Sequence, residues 1–309
     1  EGIYMNATVR FNNQIVARHP YGYTGFHCNL TPYLLFDREN TIRVTVDNTS
    51  MPNTRWYSGT GIYRHVWLLT GEKVHIAPWG VFAQTPSVSD KASLVGVTTT
   101  VENNSSAPER IAVRSLILDE NGGKAAETED DFEIDAGGKA DVKQSLEIFH
   151  PNLWSVEEPR LYTLKSELRK DGSVIDRTKT RIGIRSISFD PQNGFCLNGK
   201  TMKLRGGCVH HDCGILGSAA YDRAEERKIR LLKENGFCAV RCAHNPPSPA
   251  FLDACDRLGM LVIDEAFDCW REGKNPYDYN MHFEDWWQRD LSSMILRDRN
   301  HPSIILWST

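Results

Sequence analysis

Three groups of chemically capable side chains stand in the last third of the chain, each just past a short apolar run. His210, His211 and Asp212 follow the first run, Arg241, His244 and Asn245 the second, and Asp264, Glu265, Asp268 and Trp270 lie at and just past the third. Carboxylates, imidazoles, a guanidinium and an indole together suit a sugar, whose hydroxyl edges take hydrogen bonds and whose ring face rests on an aromatic surface. A single histidine in a loop is commonly structural, and Asp264 could simply cap the segment that follows it. The recurrence of such residues at three successive strand ends is what makes them a candidate site.

The elements that must position them follow a repeating strand, loop and helix pattern after Ser186. Residues 202–206 read as a short strand, 239–241 as a second, 261–264 as a third and 304–307 as a fourth. Between them, Asp222 and Glu225 have the spacing of a capping box at a helix start, and Gly236 ends that helix. Ser248-Pro249 starts another, with a capping residue and a proline at the first position, and Gly259 closes it. An amphipathic helix spans about residues 283–299. Strands about 25 to 40 residues apart are spaced as βα units. Four units do not close a sheet on themselves, and no Gly-rich phosphate loop follows the first, so the pattern fits half of an eight-unit barrel better than an open nucleotide-binding sheet. In such a barrel the working groups sit where these residues sit, at the strands' C-terminal ends.

Upstream the chain is β throughout. Residues 3–10 alternate, Asn12-Asn13 makes a turn, residues 14–18 return, and residues 41–47 place their apolar side chains on one face. From about Val74, longer strands at 94–101, 111–118, 140–148, 162–168 and 174–184 fit a sandwich of six or seven strands, with Asn103-Asn104-Ser105-Ser106 and Asn121-Gly122-Gly123 as turns. The expected division is 1–74, 75–185 and 186–309.

Composition narrows the classes. The 309 residues carry a formal net charge of −4, which supplies no basic field for nucleic acid. No apolar run approaches the roughly 20 residues of a membrane helix. The opening Glu1-Gly2-Ile3-Tyr4 reads as the middle of a strand. Seven of the eight cysteines crowd residues 196–269, several within apolar runs and without regular zinc-type pairs. They read as buried free thiols, and they favour a reducing, cytoplasmic setting over a secreted one.

Several stretches together resemble glycoside hydrolase family 2. Residues 204–212 (LRGGCVHHD) and 241–248 (RCAHNPPS) are similar to the family's first two barrel strand ends, Asp264-Glu265-Ala266 to the third, and residues 297–308 (RDRNHPSIILWS) to the approach to the fourth. Residues 55–64 (RWYSGTGIYR) resemble the end of its N-terminal jelly roll, and Pro151-Asn152-Leu153-Trp154-Ser155 with Pro159-Arg160-Leu161-Tyr162 its immunoglobulin-like sandwich.

The resemblance implies a partial jelly roll, an immunoglobulin-like β-sandwich and the first half of a TIM barrel. It also implies a retaining β-glycosidase, most commonly a β-galactosidase, acting on terminal β-linked sugars, with β-glucuronidase and β-mannosidase as the neighbouring specificities. Two carboxylates about 5 Å apart do that chemistry. By the family's pattern the acid/base glutamate falls about three positions past Thr309 and the nucleophile on a later strand, so no catalytic residue is expected among the 309. His210, Arg241 and His244 match positions that line the sugar subsite or hold the catalytic pair. Asn245, Asp264, Glu265, Asp268 and Trp270 complete the expected substrate-binding set, with Glu265 orienting its neighbours.

Some β-galactosidases of the family bind magnesium through an acidic residue and a histidine two positions apart after strand three. The aligned pair here is Asp268 and Trp270, and an indole cannot ligate a hard cation, so no resident cofactor is expected, with magnesium or sodium left open for a longer enzyme. Open strand edges near Lys203 and Leu306 make self-association a further expectation. Two other functions fit parts of the pattern: a carbohydrate-binding module stacking sugars on Trp56, Tyr57 or Trp270, and a metal hydrolase on His210, His211, His244 and Asp264. The latter lacks any HxH or HExxH spacing.

Overall fold

A computed structural model describes residues 1–309. Residues 3–10 do not form one strand: β1 (Ile3–Tyr4) and β2 (Ala7–Phe11) are separated at Asn6, whose φ of 50° lies in the left-handed region that asparagine tolerates. Asn12 and Asn13 take φ of 48° and 67° and turn the chain into β3 (Gln14–His19), as their types predict. β4 (Ile42–Thr45) lies on the other side of β2, and β5 (Gly61–Ile62) pairs antiparallel with β1. The alternation over 41–47 does not bury its apolar face, since Ile42 is 54% exposed.

Seven antiparallel strands follow. They are β6 (Val74–Ser87), β7 (Ala92–Asn103), β8 (Glu109–Leu118), β9 (Lys124–Ile134), β10 (Lys139–Phe149), β11 (Tyr162–Lys170) and β12 (Ser173–Ile182). They stack as two sheets, ordered β10-β7-β6 and β12-β11-β8-β9. Alternate residues point inward, so Val95, Val97, Ile117, Leu146, Leu164 and Ile182 form one core between the sheets.

A small hairpin sheet, β13 (Ile187–Asp190), β14 (Gly194–Leu197) and β15 (Lys200–Thr201), leads into a parallel sheet ordered β16-β17-β18-β19. Its elements in chain order are β16 (Gly206–Val209), α1 (Asp222–Glu234), β17 (Ala239–Cys242), α2 (Pro249–Leu258), β18 (Leu261–Glu265), α3 (Asn280–Asp298) and β19 (Ile304–Ser308). The first strand lies four residues later than expected. Pairing starts at Gly206 against Ala239, where a Cβ would come within 2.2 Å of the Ala239 carbonyl oxygen, so a glycine is required. The expected capping box at α1 does not form. Asp222 instead meets His65 Nε2 at 2.7 Å, and the Glu225 carboxylate lies 3.2 Å from Lys228 Nζ. α2 conforms: Ser248 Oγ accepts from Phe251 N–H at 3.2 Å, and Gly259 closes the helix at φ 71°. Four cysteines (196, 242, 255 and 269) are buried as small hydrophobes, but Cys208 is exposed and Cys28, Cys213 and Cys238 are half-buried. No helix is long and apolar enough to cross a membrane.

Two interfaces hold the three units together. Under the parallel sheet, Trp154 is fully buried among Phe195, Leu197, Leu261 and Ile305 and donates its indole N–H to the Asp256 carbonyl at 2.8 Å. Beside it, His301 Nδ1 lies 2.6 Å from Asp256 Oδ2. Burial disfavours the imidazolium there, but Asp256 outweighs it and raises His301 to about 9. A group whose folded value is raised stabilises the fold below its ordinary value of 6.5, and that contribution is lost as pH rises through about 9. The melting temperature should therefore fall across this window, and His301→Gln should flatten the fall. Equal slopes in both proteins would rule the pair out.

The second interface sets the site. Tyr4, Met5, Tyr21 and Tyr23 of the first unit pack with Ala266, Phe267, Cys269, Tyr279, Phe283 and Met294. Asp290 lies at its buried centre, accepting from Thr24 Oγ1 at 2.6 Å and Tyr279 OH at 2.5 Å, with His19 Nε2 at 3.0 Å. The loop after β18 is thereby locked against the β-domain.

Candidate active site

β16, β17 and β18 run parallel, so the loops that follow them open at one end of the sheet. There Arg241 lays two guanidinium N–H groups on Glu265, Nε to Oε2 at 2.6 Å and Nη2 to Oε1 at 2.7 Å. This fork geometry is specific to arginine and carboxylate. Ser308 Oγ donates to Glu265 Oε2 at 3.2 Å, and Arg241 Nη1 reaches Cys208 Sγ at 3.4 Å. His244 Nδ1 lies 3.0 Å from Glu265 Oε1 and 3.3 Å from Arg241 Nη2. The shorter contact selects the tautomer that donates Nδ1–H to Glu265, which leaves Nε2 to accept from a ligand hydroxyl. Glu265 thus has its oxygens engaged by three side chains.

His210 stands 5.5 Å from His244, ring centre to ring centre, and Trp56 stacks on it at 5.5 Å and 27°. Trp56 also leans on His244 at 5.3 Å and is fixed by an indole N–H bond to Tyr23 OH at 3.0 Å. Burial and the neighbouring His244 lower His210 below the ordinary imidazole value. Its Nδ1 is buried without a hydrogen-bond partner, so Nε2 is the nitrogen left to meet a ligand. His211 turns away and is buried, with Nδ1 3.3 Å from Arg64 Nη2. Burial and the Arg64 charge hold it well below the ordinary value.

Asp268 is the second carboxylate of the cleft. Its Oδ1 accepts from Arg55 Nη2 at 2.6 Å and Lys274 Nζ at 3.0 Å, and it lies 3.9 Å from His244 Nδ1. Burial pushes this carboxyl up, yet Lys274 and Arg55 prevail and hold it below the usual range. Trp270, two residues on, is 52% exposed on the same loop.

Two expected residues do not join the group. Asp264 is fully buried on the helix side of β18, because successive strand residues face opposite ways. Burial and the nearby Asp298 raise its carboxyl well above the usual range. Asn245 is buried in the aromatic interface, where Nδ2 donates to Tyr21 OH at 2.6 Å and that hydroxyl donates to the Ala266 carbonyl at 2.6 Å. The metal set of His210, His211, His244 and Asp264 is likewise split: His211 is turned into the interior and Asp264 lies on the far side of its strand. Conversely, Arg55, Lys274, Tyr23 and Ser308 enter the site without having been read as part of it. Arg55 was visible only as part of the 55–64 stretch, and Lys274 carries no local mark.

Sequence models of the family match twice. Residues 74–185 match "Glycosyl hydrolases family 2", and residues 191–309 match "Glycosyl hydrolases family 2, TIM barrel domain". The chain belongs to glycoside hydrolase family 2. Its architecture is the multidomain one of that family: partial jelly roll, immunoglobulin-like sandwich and the first half of a TIM barrel. The whole family 2 chain is similar, at 45% identity over 308 residues, to the β-galactosidase BoGH2A of Bacteroides ovatus, of which it spans 36%. A putative β-glucuronidase of Formosa agariphila is 37% identical over 309 residues, and the chain spans 29% of it. Among solved structures, a family 2 member from Bacteroides cellulosilyticus superposes with a TM-score of 0.97 at 49% identity, covering 99% of this chain and 39% of that one. The chain thus spans about a third of the length of the curated relatives it matches.

The implied magnesium can be tested against this family 2 site. Asp268 spends Oδ1 on two side-chain cations, and Trp270 offers no lone pair, so the residues present do not fit a hard divalent ion. Away from the cleft, Asp253, Asp256 and His301 bring ligand atoms within 4.8 Å of one another. There Asp256 engages His301 Nδ1, and a proton held on that imidazole to about pH 9 blocks the nitrogen as a ligand.

Proposed function

We propose that the protein to which this chain belongs hydrolyses terminal β-galactosides with retention of anomeric configuration. The observation that carries this is 45% identity, across the whole chain, to a protein named β-galactosidase. The site supports it: a neutral His210, His244 Nε2 and the edge of Trp56 form a polar, aromatic-walled cleft of the kind that binds one sugar. In this reading Arg241, braced on Glu265, is a fixed cation for the catalytic pair, and Glu265 positions Arg241 and His244 rather than reacting. In this reading the acid/base carboxylate follows β19 directly and the nucleophile belongs to a later barrel strand, both outside residues 1–309.

A second reading is β-glucuronidase, the name carried by the Formosa relative and by a solved Bacteroides uniformis enzyme that superposes with a TM-score of 0.89 at 32% identity. Assaying the full-length protein on aryl β-galactoside and aryl β-glucuronide separates the two. The galactoside should be preferred by about 10²-fold or more, because a site built to bond one substituent leaves groups unpaired with another. Proton NMR should show the β-anomer of the released sugar first. Preference for the glucuronide would favour the second reading, and inversion would remove both.

A further inference from the structure

The surroundings of Asp268 assign a role to a lysine. The loop after β18 is built around the buried Asp278, whose Oδ2 accepts the backbone N–H groups of Lys274 and Asn275, each at 2.7 Å, and whose Oδ1 accepts Asn280 N–H at 3.3 Å. Gly273 passes so close to Asn280 that a Cβ would lie 2.8 Å from its side chain. This tight turn aims Lys274 back along the loop. Its Nζ then meets two oxygens of one residue, the Asp268 carbonyl and, at 3.0 Å, the Asp268 carboxylate. An ammonium gathering a carbonyl and a carboxylate oxygen has the donor set a bound hard cation would choose. Arg55 reaches the same carboxylate oxygen from the other domain at 2.6 Å.

Charge points the same way. The cleft's two carboxylates, Glu265 and Asp268, face three fixed cations, Arg241, Arg55 and Lys274. Both carboxylates are thus already neutralised by side-chain partners, which leaves no unpaired charge on Asp268 to draw a divalent ion. Trp270 stands where the aligned metal ligand would be and contributes none.

We infer that Lys274, seconded by Arg55, fills with side-chain cations the position beside the cleft that aligns with the magnesium pair of some β-galactosidases of the family, so that this protein's site works without a divalent metal. The pairing also ties the β-domain to the loop: Arg55 and Lys274 meet on one oxygen, and that oxygen lies 3.9 Å from His244.

The test uses the full-length protein and manganese as the probe. Titration followed by electron paramagnetic resonance should show wild type taking up no ion tighter than about 1 mM at a site that depends on Asp268, the weak end of protein cation sites. The double variant Trp270→His, Lys274→Ala removes the resident ammonium and supplies a nitrogen ligand. It should bind one Mn²⁺, and adding Asp268→Asn should abolish that binding. Glycoside turnover by wild type should change by less than about twofold between chelator and added magnesium, since no hard-cation site is open. Manganese bound by wild type, with anomalous density at Asp268 in soaked crystals, would overturn the inference whether or not the variants fold. So would a double variant that melts like wild type yet binds no ion. The activity arm rests on the proposed glycosidase reading. Lack of turnover on any β-glycoside would strike that reading alone, because the metal titration does not depend on it.

Discussion

Residues 1–309 on their own should release no measurable phenol from an aryl β-galactoside, while the full-length protein does so readily. Carboxylates decide the outcome. Retaining hydrolysis needs two, about 5 Å apart on opposite sides of the sugar, one able to give a proton and one free to attack. The cleft described above offers Glu265 and Asp268. Both belong to β18 and the loop directly after it, so they approach a ligand from one side. Both are also engaged, Glu265 by Arg241, His244 and Ser308, and Asp268 by Arg55 and Lys274. A general acid needs its carboxyl raised toward neutrality, whereas Asp268 is held below the usual range. Losing the general acid alone costs about 10²- to 10⁴-fold, and without a nucleophile the covalent route closes. The check is phenol release by both proteins at matched concentration. Turnover by the 309-residue chain that vanished in Glu265→Gln would overturn the positioning role given to Glu265.

What could be read from the residues divides by range. α2 was legible end to end, because Ser248, Pro249 and Gly259 each act within one turn of where they stand. β16 was displaced because its strand consists of Gly206, Gly207, Cys208 and Val209, and glycine carries no strand preference; only the approach of Ala239 explains it. β9 escaped notice because Lys124–Ile134 mixes acidic and small residues and buries little beyond Ile134. The convergence of His210, Arg241 and His244 was legible because adjacent parallel strands must open on one face. Asp264 was misplaced although period-two alternation would have separated it from Glu265. The roles of Arg55 and Lys274 were not legible. Arg55 lies 213 residues from its partner, and Lys274 reaches Asp268 only because Asp278 folds the loop.

In the full-length protein, Glu265→Gln should lower kcat by about 10²-fold with little change in folding, since a misplacement of about 1 Å in a catalytic group has that effect. The amide keeps the size but presents an NH₂ to Arg241, which is itself only a donor, so one arm of the fork is lost and the guanidinium swings. The single amide oxygen can serve either Arg241 Nη2 and His244 Nδ1 or Arg241 Nε and Ser308 Oγ, but not both sets. A group that positions others should slow substrates of every leaving-group quality alike. A group that donates the proton should spare phenols acidic enough to leave unaided and should remove one limb of the pH–rate profile. Comparing a dinitrophenyl with an unactivated phenyl galactoside therefore separates the roles. Equal losses on both, with the pH profile retained, are expected here. A loss confined to the poor leaving group would make Glu265 the acid, and the assignment of that role to a glutamate following β19 would fall with it.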